Sequence, residues 1–470
     1  MDRGSALAPA PERAPLRRRP ADLVLLGVEA ALLVAAVLLG LLLNRRGVGL
    51  RASAAPLYAT WQPHIGWGTP IAVLVAAGVI AAGPRWARTA RWGVLLAVAW
   101  LGAVAWTLSL ALVDGWSDGL TRRLTAQAEY LHEVPRVTDI PSTLVSFSGR
   151  ILDFQPESWS THTAGHPPGA LLLFVWLERV GLGGGTAAGL ACVLVGATVA
   201  VSVPVTLRAL GAADAARAVV PFLVLLPGAV WMGASADGIF AGVVAVGLAL
   251  LVVRGPLAAA AGGLLLGFAL YLSYGFVLVG LLALAVIALR PARRMGALFA
   301  ALAALAGVAA VVLAFTAAGF YWWVGYRLVV ERYYQGWAAE RPYAYWVWAN
   351  LAALLLSTGP VLGPALRRAV LAAVAAVRAQ LAPGHRDPRD LASAACAASP
   401  AALLPLVAAL TVVGADLSGL SKAEVERIWL PFTVWLLVAA ALMPEKTRRW
   451  WLIGQAATAL AVNHLLWTVS

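Results

Sequence analysis

The stretch AARAVVPFLVLLPGAVWMGASADGIFAGVVAVGLALL, residues 215–251, decides the fold class. It covers most of two apolar runs, 217–234 and 236–253, and its only charged residues are Arg217 and Asp237. Each run approaches the roughly 20 residues that an α-helix needs to cross about 30 Å of hydrocarbon. Asp237 stands at the junction, where it either caps the second helix or contacts a substrate. The stretch predicts membrane helices with one carboxylate between them.

The composition extends this prediction to the whole chain. Of 470 residues, 61% are hydrophobic and 12% are charged, with a mean hydropathy of +0.82. A soluble domain carries about 25% charged residues, so the chain is predicted to be an integral membrane protein. Further apolar runs cover 22–43, 70–82, 92–113, 167–182, 186–207, 257–289, 296–319, 345–367, 400–415, 428–443 and 450–467.

These runs predict an all-α, polytopic transmembrane bundle of about 12–14 helices. Residues 22–470 form its single domain. Residues 1–21 are rich in Pro, Ala and Arg and predict a disordered cytoplasmic N-terminus. The two cysteines lie inside apolar runs and indicate neither a disulfide framework nor a metal site.

The net charge of +13 comes largely from arginines in short loops between apolar runs. This is the cytoplasmic bias of membrane proteins, and nucleic-acid binding is not predicted. The basic loops lie at 85–91, 254, 290–294, 367–368 and 446–449. The polar segments 114–166, 320–344 and 416–427 then lie outside.

The loop around 208–217 conflicts with this topology. Two apolar runs between 167 and 207 would return Arg208 to the outside, whereas Arg208 and Arg217 favour the inside. Either one of the two runs is re-entrant or lies on the surface, or the arginines face lipid phosphates outside.

The longest outer segment begins with DGWSDGLTRRLTAQAEYLHEV, residues 114–134. Leu120, Leu124, Ala128 and Leu131 fall near one helical face, and the charged residues fall elsewhere. We therefore expect an amphipathic helix in the membrane interface within the 114–166 loop.

Four features follow one another along the chain. Asp114 or Asp118 ends a transmembrane run, and the outer loop closes on HPPGALLLFVWLERVGL, residues 166–182. Asp237 follows a proline-containing run, and LSKAEVERIWLPFTVWLL, residues 420–437, leads from a charged loop into a helix. In this order they resemble the GT-C superfamily of glycosyltransferases, and within it the protein O-mannosyltransferases and lipid A aminoarabinose transferases. The resemblance covers roughly residues 92–443.

The resemblance implies a polyprenyl-phosphate sugar donor, an extracytoplasmic active site and inversion at the anomeric carbon. An outer-loop carboxylate acts as general base, for which Asp118 is the first choice and Asp114 the second. A carboxylate that takes a hydroxyl proton makes chemical sense, because a hydroxyl is a poor nucleophile. Either Asp alternatively caps the predicted helix.

The leaving lipid phosphate requires cationic or backbone donors. His166 precedes a double proline that can begin a helix, and free N–H groups at a helix start bind anions, so His166 and, less securely, His162 are candidate phosphate ligands. The resemblance brings Arg427 and Lys422 near the lipid phosphate or its sugar. The alternatives are a histidine that caps the helix and basic side chains that snorkel to the interface.

The segment 324–350 is dense in aromatic residues and arginines. An aromatic belt at the membrane interface is the default interpretation. Aromatic rings also stack on sugars, so a substrate groove is the alternative. Its candidate residues are Arg332, Tyr333, Tyr334 and Arg341.

The chain has neither an Asp-x-Asp motif for a metal-bound nucleotide sugar nor a Walker loop. No cofactor is predicted, although a divalent metal stays open. The many Ala, Gly and Arg residues, with lysine only at Lys422 and Lys446, are typical of a high-GC bacterium and favour mannose or arabinose as the sugar. The expected partners are membrane lipids, a polyprenyl-phosphate-linked sugar and an acceptor that is a glycan, a glycolipid or a protein. The alternatives are a lipid-linked-sugar flippase and a scaffold of the same fold without catalysis.

Overall fold

The computed structural model describes residues 19–233, 235–253, 255–290, 294–380 and 399–468. The predicted disordered segment 1–21 lies mostly outside these ranges, as does Arg254. The described chain is almost entirely helical. Its α-helices are α1 Arg19–Arg45, α2 Gly68–Thr89, α3 Trp92–Ala111, α4 Ile140–Ser146, α5 Thr161–Gly165, α6 Pro168–Arg179, α7 Gly184–Gly196, α8 Val199–Ala209, α9 Ala213–Val224, α10 Ala229–Met232, α11 Asp237–Val252, α12 Pro256–Ala269, α13 Val279–Ala288, α14 Arg294–Ala317, α15 Trp322–Gln335, α16 Tyr343–Thr358, α17 Leu362–Gln380, α18 Pro400–Leu417, α19 Val425–Ile428, α20 Leu430–Leu436 and α21 Glu445–Leu465.

The all-α, membrane-type architecture predicted from the sequence is confirmed. Six stretches of the described residues are helical, long and apolar enough to cross a membrane. They are Pro20–Arg45, Gly68–Thr89, Trp92–Ala111, Gly184–Ala209, Gly296–Ala317 and Pro400–Leu417. A bent pair, α16 and α17, raises the number to seven if it is one span.

The predicted number of 12–14 was higher because several apolar runs form shorter helices. Four apolar helices have 10–17 residues: Asp237–Val252, Pro256–Ala269, Tyr274–Ala288 and Leu430–Leu442. The 97° bend between α16 and α17 falls at Gly359 and Pro360, where Gly359 has a φ of +84°. That φ suits glycine, and proline cannot donate the next helical hydrogen bond.

The helices pack around α11, whose side chains are buried on nearly every face. Small residues allow close helix contacts, most clearly between α12 and α14. A Cβ atom on Gly263 would lie 2.0 Å from the carbonyl oxygen of Ala304, and one on Gly307 would lie 2.4 Å from that of Ala260. Close backbone approach of this kind is how membrane helices gain van der Waals contact without a hydrophobic driving force.

Contacts between distant loops define two ends of the bundle. At the basic end, Arg368 pairs with Asp22 at 2.5 Å and Arg88 pairs with Glu445. Arg217 donates to the carbonyl oxygens of residues 87 and 90 at 2.8 and 2.9 Å. At the polar end, the segments 114–166, 320–344 and 416–427 contact one another. The basic loops 85–91, 367–368 and 446–449 thus lie at the other end of the bundle from the predicted outer loops, as expected.

The short helix α6 resolves the conflict over residues 167–207. At its C-terminal end Arg179 donates to the carbonyl oxygen of Thr138 in the polar-end loop, at 3.2 Å. The following helix also begins there, since Thr186 contacts Thr121 at 2.8 Å between their hydroxyl oxygens. Because α6 begins and ends at the polar end, only Gly184–Ala209 runs to the basic end, where Arg208 lies over Trp92. These contacts support the alternative in which one of the two runs is re-entrant or lies on the surface, and α6 is that run.

The predicted amphipathic helix at 114–134 is not formed. A five-residue π-helix, Ser117–Thr121, is followed by three single 3₁₀ turns, Arg123–Thr125, Tyr130–His132 and Val134–Arg136. Leu120 and Leu124 are buried as expected, but so are Glu129 and Glu133, which were assigned to the solvent face. These glutamates are buried because partners distant in the chain pair with them, and helical periodicity contains no information about such partners.

A small antiparallel sheet joins the segment after α1 to the last described residues of the chain. Strand β1, Ala59–Trp61, pairs with β2, Leu466–Thr468, with Ala59 opposite Thr468. The sheet lies at the polar end, next to the site described below.

Candidate functional site: the Arg427 cluster

Three loops that the sequence places far apart meet around one buried guanidinium. Arg427 donates to Asp237 at 2.9 Å and to Glu424 at 2.6 Å, and its Nη2 lies 3.3 Å from Nε2 of His162. His162 in turn contacts Glu129. We call these five residues the Arg427 cluster. It brings together the predicted site residues Asp237, His162 and Arg427 and adds two glutamates.

Short helical elements aim these side chains at one point. Asp237 occupies the first turn of α11, where the breaks around Gly228 and Gly233 end the preceding helices. Arg427 lies on α19, a single turn that ends at Trp429, and α20 begins at the next residue with Pro431 in its first turn. His162 lies on the one-turn helix α5, which the double proline ends. Breaks in the apolar pattern thus place polar groups at helix ends rather than in helix middles.

The charges of the cluster are firmly fixed. Burial opposes ionisation of Glu424, but the guanidinium groups of Arg427 and Arg341 prevail and lower the pKa of its carboxyl to about 2. Burial likewise opposes the charge on Arg427, yet Glu424 and Asp237 raise its pKa above the usual arginine value. Arg427 is 5% exposed and Asp237 is 4% exposed. An ion network this buried persists only when each charge has a partner.

The partners of His162 indicate which of its ring nitrogens donates. Its Nδ1 lies 2.7 Å from Oε1 of Glu129, which accepts, so Nδ1 carries the hydrogen. Its Nε2 faces the Arg427 Nη2, which donates, so Nε2 is the acceptor. The Glu129 side chain is 7% exposed, whereas that of His162 is 19% exposed. The carboxylate that orients the ring is therefore the more deeply buried of the two groups.

His166 is oriented differently from what a phosphate ligand requires. Its Nδ1 lies 2.9 Å from the carbonyl oxygen of His162 and 2.7 Å from the Tyr130 hydroxyl. A carbonyl only accepts, so the N–H of His166 is used within the protein. Burial lowers the pKa of His166 to about 4, so the ring is neutral at pH 7. It offers no positive charge to a phosphate and instead closes the inner side of the site.

The turn before Arg427 has a strained backbone. Ala423 and Glu424 have φ values of +72° and +62°, in the left-handed region that side chains disfavour. Asn350 holds this turn by donating to the carbonyl oxygen of Ser421 at 2.7 Å and accepting from the Ala423 N–H at 3.3 Å. The same side chain donates to Asp416 at 2.8 Å. Consecutive non-glycine residues with positive φ concentrate at functional sites, where strain is retained to orient a side chain.

Lys422 and the aromatic segment lie beside the cluster. The ammonium of Lys422 donates to the carbonyl oxygen of Ala338 at 2.8 Å and lies 5.1 Å from the ring centre of Tyr334. Tyr333 accepts from the Lys422 N–H at 2.8 Å, and Arg341 donates to the Lys422 carbonyl oxygen at 2.8 Å and to Glu424 at 3.3 Å.

Of the predicted groove residues, Tyr333, Tyr334 and Arg341 thus surround the strained turn. Arg332 does not join them. It pairs with Asp153 of the long polar loop at 2.7 Å.

The two aspartates predicted as general base lie outside the cluster. Asp114 is 10% exposed in its side chain and is held by His64 at 2.6 Å and Arg123 at 2.8 Å. We call these three residues the Asp114 cluster. Asp118 pairs only with Arg122, at 3.1 Å, and its side chain is 44% exposed. Neither aspartate caps a helix through its side chain in the way that the alternative interpretation required.

A third glutamate, Glu426, is fully buried beside the cluster, and neither of its carboxylate oxygens has a hydrogen-bond partner among the described residues. Burial raises its pKa to about 7. Across the described ranges, no three His, Cys, Asp or Glu side chains are grouped to hold a metal ion.

Sequence reasoning missed Glu129, Glu424 and His64. Glu424 lies in the quoted SKAEVER segment between the two basic residues that were chosen, and Glu129 was assigned to a solvent face. Glu129, for example, pairs with His162, which lies 33 residues later in the chain. Such a pairing is visible only in three dimensions. No model of a known protein family matches the chain, and a search of curated proteins finds no match.

Proposed function

We propose that the protein is an inverting glycosyltransferase of the GT-C type that moves a sugar from a polyprenyl-phosphate donor to a hydroxyl group. The acceptor belongs to an envelope glycan, a glycolipid or a protein, and the polar end faces away from the cytoplasm. The observation that carries the proposal is the meeting of segments 114–166, 320–344 and 416–427 around Arg427, at one end of an apolar bundle.

The depth of the cluster suits a lipid-linked donor. Helix α11 runs 16 residues from Asp237 to Val252, which at 1.5 Å per residue is about 24 Å. Asp237 therefore lies roughly one hydrocarbon thickness from the basic end, close to where lipid headgroups lie. A polyprenyl chain would remain in hydrocarbon while its phosphate reached the cluster.

The cationic groups suit a phosphate leaving group. Negative charge develops on the phosphate as the glycosidic bond breaks, and fixed cations in a site shielded from water stabilise it most effectively. Lys422 and Arg341 at present donate to backbone carbonyl oxygens and to Glu424. A phosphate is a stronger acceptor than a carbonyl oxygen, so these hydrogen bonds can be exchanged for phosphate contacts.

We also propose that the shorter apolar helices cross the membrane. The four shorter apolar helices and the bent pair, counted as one span, would raise the number from six to eleven, just below the 12–14 crossings expected of the GT-C type. Hydrocarbon that is locally thinner than average would accommodate helices of 13–16 residues.

The proposal is tested by incubating the purified protein in lipid nanodiscs with polyprenyl phosphate that carries radiolabelled mannose or arabinose, together with a membrane glycolipid extract. The expected result is labelled acceptor with one polyprenyl phosphate released per sugar. Lys422→Met should weaken donor use by about tenfold to a hundredfold, the size of a charge-assisted hydrogen bond.

The chain contains a matched control, because its only other lysine, Lys446, is exposed at the basic end. Lys446→Met should transfer sugar as the wild type does. If the wild type binds donors and moves them between leaflets without ever releasing polyprenyl phosphate, the protein is a flippase and the proposal is wrong.

A further inference from the structure

The pairing of His162 with Glu129 has a direction that matters for chemistry. The carboxylate is buried and accepts the Nδ1 hydrogen at 2.7 Å, whereas Nε2 of the ring faces Nη2 of Arg427 at 3.3 Å, and the His162 side chain is the more exposed of the pair, at 19% against 7%. A histidine that a carboxylate orients from behind, with its other nitrogen unprotonated, is arranged as a general base.

We infer that His162, positioned by Glu129, is the group that takes the proton of the acceptor hydroxyl. This inference rests on the proposed function and replaces the aspartates that the resemblance suggested for that role. Asp114 is already neutralised by His64 and Arg123, and Asp118 lies in solvent.

In the proposed step, the hydroxyl proton passes to Nε2 of His162 while the hydroxyl oxygen forms a bond to the anomeric carbon of the donor. The bond from that carbon to the phosphate oxygen breaks, and its electron pair stays on the polyprenyl phosphate. The Nδ1 hydrogen remains hydrogen-bonded to Glu129, which stabilises the imidazolium that results.

Access to Nε2 requires only the weakest contact of Arg427 to be replaced. Its Nη2 lies 3.3 Å from Nε2 but 2.6 Å from Glu424, and its Nη1 lies 2.9 Å from Asp237. A hydroxyl that takes the place of the long contact leaves the two short ones intact.

The test compares His162→Gln, Glu129→Gln and a matched control, His132→Gln, in the transfer assay. His132 lies in the same loop but is exposed. General-base catalysis contributes about 10²–10⁴-fold, so kcat of His162→Gln should fall by at least about a hundredfold while donor affinity stays within about twofold. Glu129→Gln keeps an acceptor for Nδ1 but lacks the charge, and its kcat should fall by about tenfold with an unchanged KM for the acceptor.

A merely structural role is separated by rescue. His162→Gly should regain transfer when free imidazole is added, in proportion to its concentration, and His132→Gly should not respond. Transfer by His162→Gln at the rate of the control overturns this inference and leaves the proposed function standing. Absence of transfer by the wild type from every donor overturns both.

Discussion

Two histidine–carboxylate pairs lie at the polar end with nearly the same geometry. His64 contacts Asp114 at 2.6 Å, and His162 contacts Glu129 at 2.7 Å. The second nitrogens differ. That of His64 faces the carbonyl oxygen of Gln62 at 2.7 Å, whereas that of His162 faces the guanidinium of Arg427 at 3.3 Å.

This difference gives the two rings different kinds of partner. A carboxylate and a carbonyl oxygen both accept, so both nitrogens of His64 face acceptors. His162 has one acceptor and one donor as partners. The distance between the histidine and its carboxylate therefore does not distinguish the roles of the two pairs. The partner of the other ring nitrogen distinguishes them. The Asp114 cluster fastens chain segments together, and the Arg427 cluster retains a basic nitrogen.

The largest effect should come from removing the guanidinium of the Arg427 cluster. Arg427→Met leaves Asp237 and Glu424 buried without their cation, which typically destabilises a protein by about 3–5 kcal/mol. Thermal unfolding in detergent measures the loss. Arg51→Met is the matched control, because its ion pair with Glu340 is about half exposed, at 45% and 47%, and exposed pairs are worth about 1 kcal/mol or less. Equal losses in the two variants would mean that the buried network does not hold this end together.

The second prediction concerns the Asp114 cluster, which fastens chain segments together. Asp114→Asn removes the charge that His64 and Arg123 share, and should cost about 2–3 kcal/mol, as for hydrogen bonds between charged groups. The folded fraction should still transfer sugar within about twofold of the wild type. Unfolding and transfer are measured on the same sample. A stable Asp114→Asn protein with transfer reduced more than a hundredfold would make Asp114 the base and break the comparison.

The third prediction uses the buried ring beside the Arg427 cluster. The pKa of His166 is about 4 in the folded protein, because of burial, and about 6.5 when unfolded. Between these values only the unfolded chain binds the proton, so stability falls as the pH falls from 6.5 toward 4. His166→Asn should lose less stability than the wild type over this range, by up to a few kcal/mol.

Unfolding temperatures at pH 7 and pH 4.5 provide the measurement. His132→Asn, an exposed substitution, should keep the dependence of the wild type. A pH dependence that is the same in His166→Asn and the wild type would contradict the neutral, buried state of His166.

The smallest effect is expected at Asp118, the aspartate that was the first choice for the general base. Asp118→Asn breaks one exposed pair with Arg122, at positions i and i+4, and such pairs contribute about 0.3–0.5 kcal/mol. Transfer should be unchanged within about twofold. A loss of transfer without a loss of stability would restore Asp118 as the base.

Much of the fold could be predicted from the sequence because lipid imposes simple rules. Apolar runs gave helices, and the segregation of arginines into short loops correctly separated the two ends of the bundle. Fewer long apolar helices form than the sequence predicted, because apolar runs near Gly228 and Gly359 break into short or bent pieces. Run length alone does not reveal such breaks.

The site was predicted in part. Asp237 was a candidate because it stands at a helix junction, His162 because it precedes the double proline, and Arg427 and Lys422 because of the resemblance. The structure brings all four to one place. Glu129 was assigned to a solvent face, because its partner lies on another element. Periodicity describes one helix at a time, whereas a buried ion network depends on the packing of several.

The pairing of β1 with β2 has a consequence for how the protein is made. Residues 59–61 emerge early in synthesis, but their partners at 466–468 come about 400 residues later, so the strand must wait while nearly the whole bundle is inserted. At about 5–20 residues per second this delay lasts on the order of a minute. During that minute His64 and Arg123 can already meet Asp114, but Trp467 is not yet present to cover Arg123. The polar end is thus the last part of the molecule to close, and a nascent chain arrested before residue 466 would expose it to the quality-control proteases of the membrane.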